Sequence, residues 1–535
     1  MIIPVLLTAT LAATSAPIPA TSPEAPQDGL IVDRGRLDRR QPLPDRSAEA
    51  SATAEPAAEE TIAPFVLRAV DIQTPPVVAD EIRAAVDPFI GQTLDGEGLT
   101  RLRAAVSAAL SKRAALPIVA IDTREAATGV LRITAAPGRV GRVAIYGDTQ
   151  PDVELVRQYA GRLAGEAPLT RETAERYLSL VADIPGAKTT LESVRSATPG
   201  ATDLGFGIDF TRWVVETDIN NRGSQTLGRT QITGAVTLNG AWRMGDQTRL
   251  AVTVPLDPED FQFVSLSHRQ PIGADGMAVS LAAGRLRTRV DGADGDATTL
   301  GAVLSWPLIR SYRRNLVLSA GLDGLDSDNA VFGNLRATEK TRALRTSAAF
   351  GQIGARSTLN ASLTVSRGID GLGAEVDSFT DADFTKFNGR LDAARALGRN
   401  MRLSGAVAVQ YSDDRTPTAE LFSLGGTDFG RGFGSGLLVG DSGYGAKVEA
   451  AWRPSFTPRF FAGSEVYAFA DGGEVTVNAR DPLDERSDSL MSAGAGVRIA
   501  IADKLMIEIE GARAVDDPRA SGGRSRLGFA LTARF

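Results

Sequence analysis

From Trp213 to the C-terminus the chain alternates apolar and polar residues with a period of two, a pattern that folds as β-sheet. In residues 230–238, Ile232, Val236 and Leu238 share one face, while Gln231, Thr233 and Thr237 share the other. Residues 250–254 repeat the theme. In residues 491–501 the apolar residues fall at odd positions, and Ser492, Gly494, Gly496 and Arg498 at even ones. Leu505, Ile507 and Ile509 turn away from Glu508 and Glu510. Glutamates and arginines on the inner face of strands are costly in a dry core and tolerated in a water-filled lumen. The fold class that satisfies both faces is a membrane β-barrel with its apolar side toward lipid. About 320 residues, at roughly 20 per strand with its share of loop, make about 16 antiparallel strands.

Composition excludes the main competitors. The chain is 43% hydrophobic with a mean hydropathy of -0.06, and past the N-terminus no run of about 18 uncharged apolar residues exists to span a bilayer as a helix. Cysteine is absent, which removes disulfides, thiolate metal sites and cysteine nucleophiles. The single histidine, His268, has no partners for a triad or a zinc site and reads as an exposed or lumen-facing residue. A net charge of -7 argues against nucleic-acid binding. No cofactor, metal or catalytic residue is expected. The acidic groups Asp257, Glu259, Asp260 and Asp323, Asp326, Asp328 read as solvated turns.

The N-terminal half is organised differently. Ile2 to Leu7 followed by small residues through Ala16 and Ala20 reads as a signal peptide over residues 1–20, although no Lys or Arg precedes the apolar run. Residues 21–63 are rich in Pro, Ala, Glu and Arg and form a linker, with a possible short plug helix at 30–40 weakened by Gly35. Two copies of a strand-helix-helix-strand-strand pattern follow, at 64–137 and 138–211. In the first, Val78, Ile82, Val86 and Phe89 form one helical stripe and Leu99, Leu102, Val106 and Leu110 another. In the second, the stripes are Val153, Val156 and Leu163, then Ala174, Tyr177, Val181 and Ile184. Gly91 and Gly165, at matching places, are expected to end their helices.

The last residues, 526–535, place Leu527, Phe529, Leu531, Ala533 and Phe535 on one face. A terminal amphipathic strand ending in Phe535 resembles the signal by which outer-membrane barrels are recognised for insertion by the barrel assembly machinery. Residues 425–433 read Gly-Gly-Thr-Asp-Phe-Gly-Arg-Gly-Phe, followed by residues 440–443, Gly-Asp-Ser-Gly, and by Lys447, Val448 and Glu449. Further on stands 469–473, Phe-Ala-Asp-Gly-Gly. With the junctions at 185–204 and 217–224 and the segment 306–311, these motifs resemble the two-partner secretion transporters, the ShlB/FhaC/HecB family of haemolysin secretion and activation proteins.

The resemblance covers residues 30 to 535 and implies two POTRA domains, at 64–137 and 138–211, before a barrel at 212–535. It implies that the tip Arg431, Gly432, Phe433 of a long extracellular loop folds back into the lumen and that Asp471 on a later strand pairs with Arg431, with Glu449 on the strand that follows the loop. Family members usually carry Val before the arginine and often Tyr after the glycine; this chain has Gly430 and Phe433. A planar guanidinium fits a carboxylate, and a narrow lumen screens the pair less than a surface does.

The function so implied is non-enzymatic. An outer-membrane transporter with periplasmic POTRA domains would bind an unfolded, TpsA-like exoprotein of haemolysin or adhesin type and secrete it through its pore. The strand at Ile118, Val119, Ala120 and Ile121, beside an apolar helix stripe, is the expected client-binding edge. Two alternatives stay open at this point: an outer-membrane insertase of the same superfamily, and a passive porin.

Overall fold

The computed structural model describes Leu6–Ala9 and residues 62–535, apart from 149–150, 224–227, 257–260, 291–292, 332–333, 456–457, 459–460, 462, 481–482, 503 and 518–524. Leu6–Ala9 lies antiparallel along residues 191–194 of the second module. The rest of the expected leader, the possible helix at 30–40 and the acids Asp257, Glu259 and Asp260 lie outside the described residues.

The first module stacks α1 (Ala79–Val86) and α2 (Gly96–Leu110) on a sheet of β1 (Ala69–Gln73), β2 (Pro117–Asp122) and β3 (Val130–Pro137). The order is β1-β3-β2, with β1 parallel and β2 antiparallel to β3. Both helical stripes sink into the sheet: Val78, Ile82, Val86, Leu99, Leu102, Val106 and Leu110 are buried against Leu131, Ile133 and Ala135. Asp95 starts α2 by accepting the Gly98 N–H at 2.8 Å. The first strand is shorter than expected. Leu67 is fully buried and exchanges backbone bonds with Gly91 and Gln92, so the chain breaks step between Phe65–Val66 and Ala69.

The second module repeats the plan with β4 (Arg139–Gly147), α3 (Glu154–Gly165), α4 (Arg171–Ala182), β5 (Ala187–Arg195) and β6 (Ala201–Phe210). Here β6 lies between a parallel β4 and an antiparallel β5. The two matching glycines do different jobs. Gly91 has φ +85° and turns the chain, whereas Gly165 is the last residue of α3 without a positive φ, and Glu166 beyond it is extended.

Sixteen antiparallel strands then close into a barrel. They are β7 (Trp213–Asn220), β8 (Gln231–Asn239), β9 (Gln247–Pro255), β10 (Phe261–Ile272), β11 (Met277–Val290), β12 (Ala293–Arg310), β13 (Arg314–Val331) and β14 (Asn334–Ile353). The second half comprises β15 (Ser357–Gly368), β16 (Thr385–Leu397), β17 (Met401–Tyr411), β18 (Ser442–Trp452), β19 (Glu465–Val477), β20 (Arg486–Ile501), β21 (Leu505–Asp516) and β22 (Ser525–Arg534). Closure pairs β7 with β22 over Glu216–Asn220 and Ala530–Arg534, and Phe535 exchanges both backbone bonds with Val215 at 2.9 Å. Phe535 thus completes the seam.

The alternation sorts lipid from lumen. Val236, Leu250, Leu300, Leu344 and Leu363 are exposed on the outside, while Gln231, Thr233, Asp471, Glu508 and Glu510 are buried inside. All four tryptophans, Trp213, Trp242, Trp306 and Trp452, are exposed near the rim that carries the modules, where indole rings suit a membrane interface. His268 shares the outward parity of Val264 and Leu266 and stacks edge-on against Trp242 at 4.7 Å. It therefore does not face the lumen. Asp323, Asp326 and Asp328 sit within β13 rather than in a turn, and Asp323 is paired with Arg345 at 2.7 Å.

The second module is docked on that rim. Met244, in the turn after β8, is part of the module's apolar core and donates its N–H to Asp152 O at 3.1 Å. Arg310, at the end of the segment 306–311, is buried and holds Asp183 through two bonds of 2.6 and 2.7 Å. Arg176 donates to the carbonyls of Asp275, Pro307 and Leu308.

Candidate functional site

Residues 412–441 leave the rim opposite the modules and fold back into the lumen. The tip is laid on the wall formed by β18 to β22. Phe429 and Phe433 are buried with Leu424, Leu438, Val475, Leu490 and Ala514. Close approach needs missing side chains on both surfaces. A Cβ on Gly445 would lie 2.5 Å from the Phe429 ring, and one on Gly432 would lie 2.9 Å from the Ser492 Cβ and 3.0 Å from the Ala514 nitrogen.

Arg431 enters a cluster of carboxylates. Its Nη1 donates to Glu510 at 2.8 Å and its Nη1 and Nη2 to Glu449 at 3.2 Å. Its guanidinium lies 4.0 Å from the centre of the Phe469 ring. The structure also brings Arg431 to Asp471, but differently from the expectation. Nε is 3.4 Å from Asp471 Oδ2, close enough for Coulomb attraction yet without a hydrogen bond. Asp471 spends its lone pairs on the loop backbone, accepting the N–H of Gly430 at 3.0 Å and of Arg431 at 3.3 Å, and the Ser492 hydroxyl. Gly432 N–H donates to Ser492 Oγ at 3.1 Å. Arg526 on β22 donates to Phe433 O.

The acids are themselves held from the barrel wall. Arg498 donates to Glu449 at 2.6 Å, Glu465 at 2.8 Å and Glu508 at 3.1 Å, with its guanidinium 3.8 Å from the Tyr467 ring centre. The Tyr467 hydroxyl lies 2.6 Å from Glu508 and 2.8 Å from Glu510, which share its one proton. Arg402 and Arg453 reach Glu465, and Arg222 reaches Glu508. Sequence reasoning placed Glu508, Glu510 and Arg498 in the lumen but missed that Glu510 and Glu449 receive the guanidinium, and it missed Glu465 and Arg402. Their signal was a charged residue on the polar side of a strand; which charge meets which depends on register, which the alternation does not fix.

The segment Ile118–Ile121 lies apart from this lumenal cluster, on the edge strand β2. Gly138 N–H donates to Leu116 O at 2.7 Å, which sets the phase of the ladder. Ile118 and Ala120 then exchange bonds with Ala136 and Thr134, while the backbone groups of Val119 and Ile121 point to the outer edge.

Comparison with known proteins fits this architecture. The family model described as haemolysin secretion/activation protein ShlB/FhaC/HecB matches residues 209–499, more than half of the chain. The chain belongs to this family. It is 24% identical over 442 residues to the outer membrane transporter CdiB of Escherichia coli, covering 77% of this chain and 72% of that protein. The CdiB of Escherichia coli O6:K15:H31, strain 536, is 25% identical over 443 residues with the same coverage. Among solved structures, CdiB from Escherichia coli superposes with a TM-score of 0.71 at 18% identity, covering 94% of this chain and 97% of that one. CdiB from Acinetobacter baumannii gives 0.64 at 15%, covering 89% and 91%. BamA from Haemophilus ducreyi lacking POTRA domains 1–3 gives 0.55 at 13%, covering 88% and 100%. The protein is an outer-membrane β-barrel transporter of the two-partner secretion type, and its N-terminal modules are of POTRA form.

Proposed function

We propose that this transporter takes up an unfolded, TpsA-like exoprotein of haemolysin or adhesin type on periplasmic POTRA modules and passes it through the barrel lumen, without catalysing a reaction. The observation that carries this reading is the long loop folded into the lumen and fastened by Arg431, with the second of two modules docked on the opposite rim. A passive porin has no use for such modules. The edge of β2, where the backbone groups of Val119 and Ile121 point outward, supports docking of an extended client by strand addition. The Phe535 strand would be the feature read by the barrel assembly machinery. Translocation would draw its driving force from folding of the client outside the cell. A host that carries this chain together with the exoprotein should accumulate the exoprotein in the medium, and removing residues 64–211 should abolish export. Export undiminished without the modules would refute the reading.

One feature favours a second reading. The β7–β22 seam is among the shorter ladders of the barrel, five paired residues prolonged by the bonds of Val215 with Phe535 and of Asn221 with Phe529, which suits an insertase that opens laterally. A disulfide engineered across that seam should leave exoprotein export intact; its loss would favour insertion of other barrels.

A further inference from the structure

The loop has two limbs, and the Arg431 tip belongs to the second. The first, from residue 412 to 424, crosses to the other half of the barrel and is fastened there by residues outside the Arg-Gly-Phe motif. Glu420, in the short helical turn Thr418–Glu420, is fully buried. Its carboxylate takes Arg345 of β14 at 2.8 Å and Lys386 of β16 at 2.7 Å. Its carbonyl accepts from Gln410 at 2.8 Å and from Lys386 at 3.1 Å. Arg345 is set in place by Asp323 at 2.7 Å and Ser366 at 2.8 Å. Ala419 beside it is buried with Phe261, Leu286, Ala297 and Leu325, on β10 to β13. The first limb thus rests on strands β10 to β17 through Ala419 and Glu420, while its end at Leu424 joins the tip on β18 to β22, and Asp428 of the tip reaches back to Arg390 on β16 at 2.8 Å.

We propose that Glu420 is a second latch of the loop, a positioning residue that holds the first limb across the mouth of the barrel opposite the modules and must let go, separately from Arg431, for a polypeptide to pass. This rests on the reading of the barrel as an export conduit. The physical argument is one of division. A loop held only at its tip would be freed by breaking the Arg431 contacts. Here Glu420 is held by β14 and β16 and Arg431 by β18 and β21, so releasing either side chain leaves the other in place. Glu420 meets both Arg345 and Lys386 at this anchor, so moving it away leaves the wall with one unit of positive charge in surplus over the latched state. Acidic side chains or backbone carbonyls of a passing chain can take up that surplus, and the latch would then open against the client rather than against water.

The test uses the full-length protein in planar bilayers and in an export assay. Glu420→Gln keeps the volume and the backbone contacts but removes the charge, and should raise the open probability about tenfold without exoprotein. Glu420→Asp should fall between it and wild type. Because the anchors act separately, the double variant with Arg431→Ala should multiply the two single effects rather than repeat the larger one. A second arm does not depend on loss of contacts. The chain has no cysteine, so Ala419→Cys with Leu325→Cys can tether the first limb to the wall. This tethered protein should insert normally and stop exporting until reduced. Wild-type open probability in Glu420→Gln, a double variant no more open than Arg431→Ala, or undiminished export with the tether closed would each overturn the latch. Failure of the untethered wild type to export anything would instead count against the proposed function, and the conductance arm would still judge the latch.

Discussion

Replacing Arg431 by alanine separates the loop from the barrel that holds it. The Arg431 side chain is only 9% exposed and makes its hydrogen bonds to Glu449 and Glu510. Removing one partner of a buried ion pair ordinarily costs about 3 kcal/mol or more, much of it from the charge left behind. The charges left behind are only partly uncompensated: Glu449 retains Arg498 at 2.6 and 3.0 Å, and Glu510 keeps the Tyr467 hydroxyl 2.8 Å away, a proton it shares with Glu508. The wall should therefore stay intact while the loss falls on docking of the tip. About 3 kcal/mol corresponds to a ~100-fold shift toward the undocked loop. Limited proteolysis in the 425–436 segment, read by mass spectrometry on protein in membranes, should show cleavage that wild type resists, while heat-modifiable migration of the barrel is unchanged. Arg431→Lys should restore only part of the protection, because an ammonium cannot fork between two carboxylates. A tip in Arg431→Ala as protected as in wild type would show that the apolar packing of Phe429 and Phe433 alone holds the loop.

Asp471→Asn keeps the shape but replaces an acceptor of the Gly430 and Arg431 N–H groups with a weaker one, so loop cleavage should rise by less than in Arg431→Ala, on the order of tenfold. Val119→Pro removes a backbone donor that points off the edge of β2 and should weaken binding of the exoprotein's N-terminal domain to the full-length transporter about fivefold, measured by calorimetry, with circular dichroism unchanged. Arg310→Ala breaks the bidentate bond to Asp183 and should loosen the second module from the rim, seen as faster amide exchange in α4 with the strands of the barrel still protected.

The architecture was legible because two periods announce it. Ile82 and Leu102 sit on 3.6-residue stripes that can only be buried by a second layer, and Ile232 and Val236 on a two-residue alternation that exposes them to lipid. Phe535 was legible for the same reason, as the end of such a strand. Residues that matter through register were not. Glu510 was recognisable as lumenal, yet nothing local says that it, rather than Asp471, receives the guanidinium, since that depends on how far the loop tip descends past β19 and β21. Glu420 was invisible: a single glutamate in a Pro-Thr-Ala-Glu turn looks solvated until Arg345 and Lys386, on strands distant in sequence, are seen to close around it. For His268 the sequence leaves both an exposed and a lumen-facing position open, and its parity on β10 decides for the outer face. Gly165 shows that a matching position in a repeat does not guarantee a matching conformation.

Whether a polypeptide crosses this barrel through its lumen can be read from one pair of cysteines. Thr364 is buried on the inner face of β15, and its neighbour Leu363 is 53% exposed on the outer face. In a chain with no other cysteine, a photoreactive maleimide at Thr364→Cys or Leu363→Cys samples lumen and lipid from the same strand. With an exoprotein stalled by a folded domain fused to its end that has not yet crossed, Thr364→Cys should capture it and Leu363→Cys should not. Capture from neither site, or from Leu363→Cys alone, while the stalled exoprotein spans the membrane, would contradict transport through the lumen.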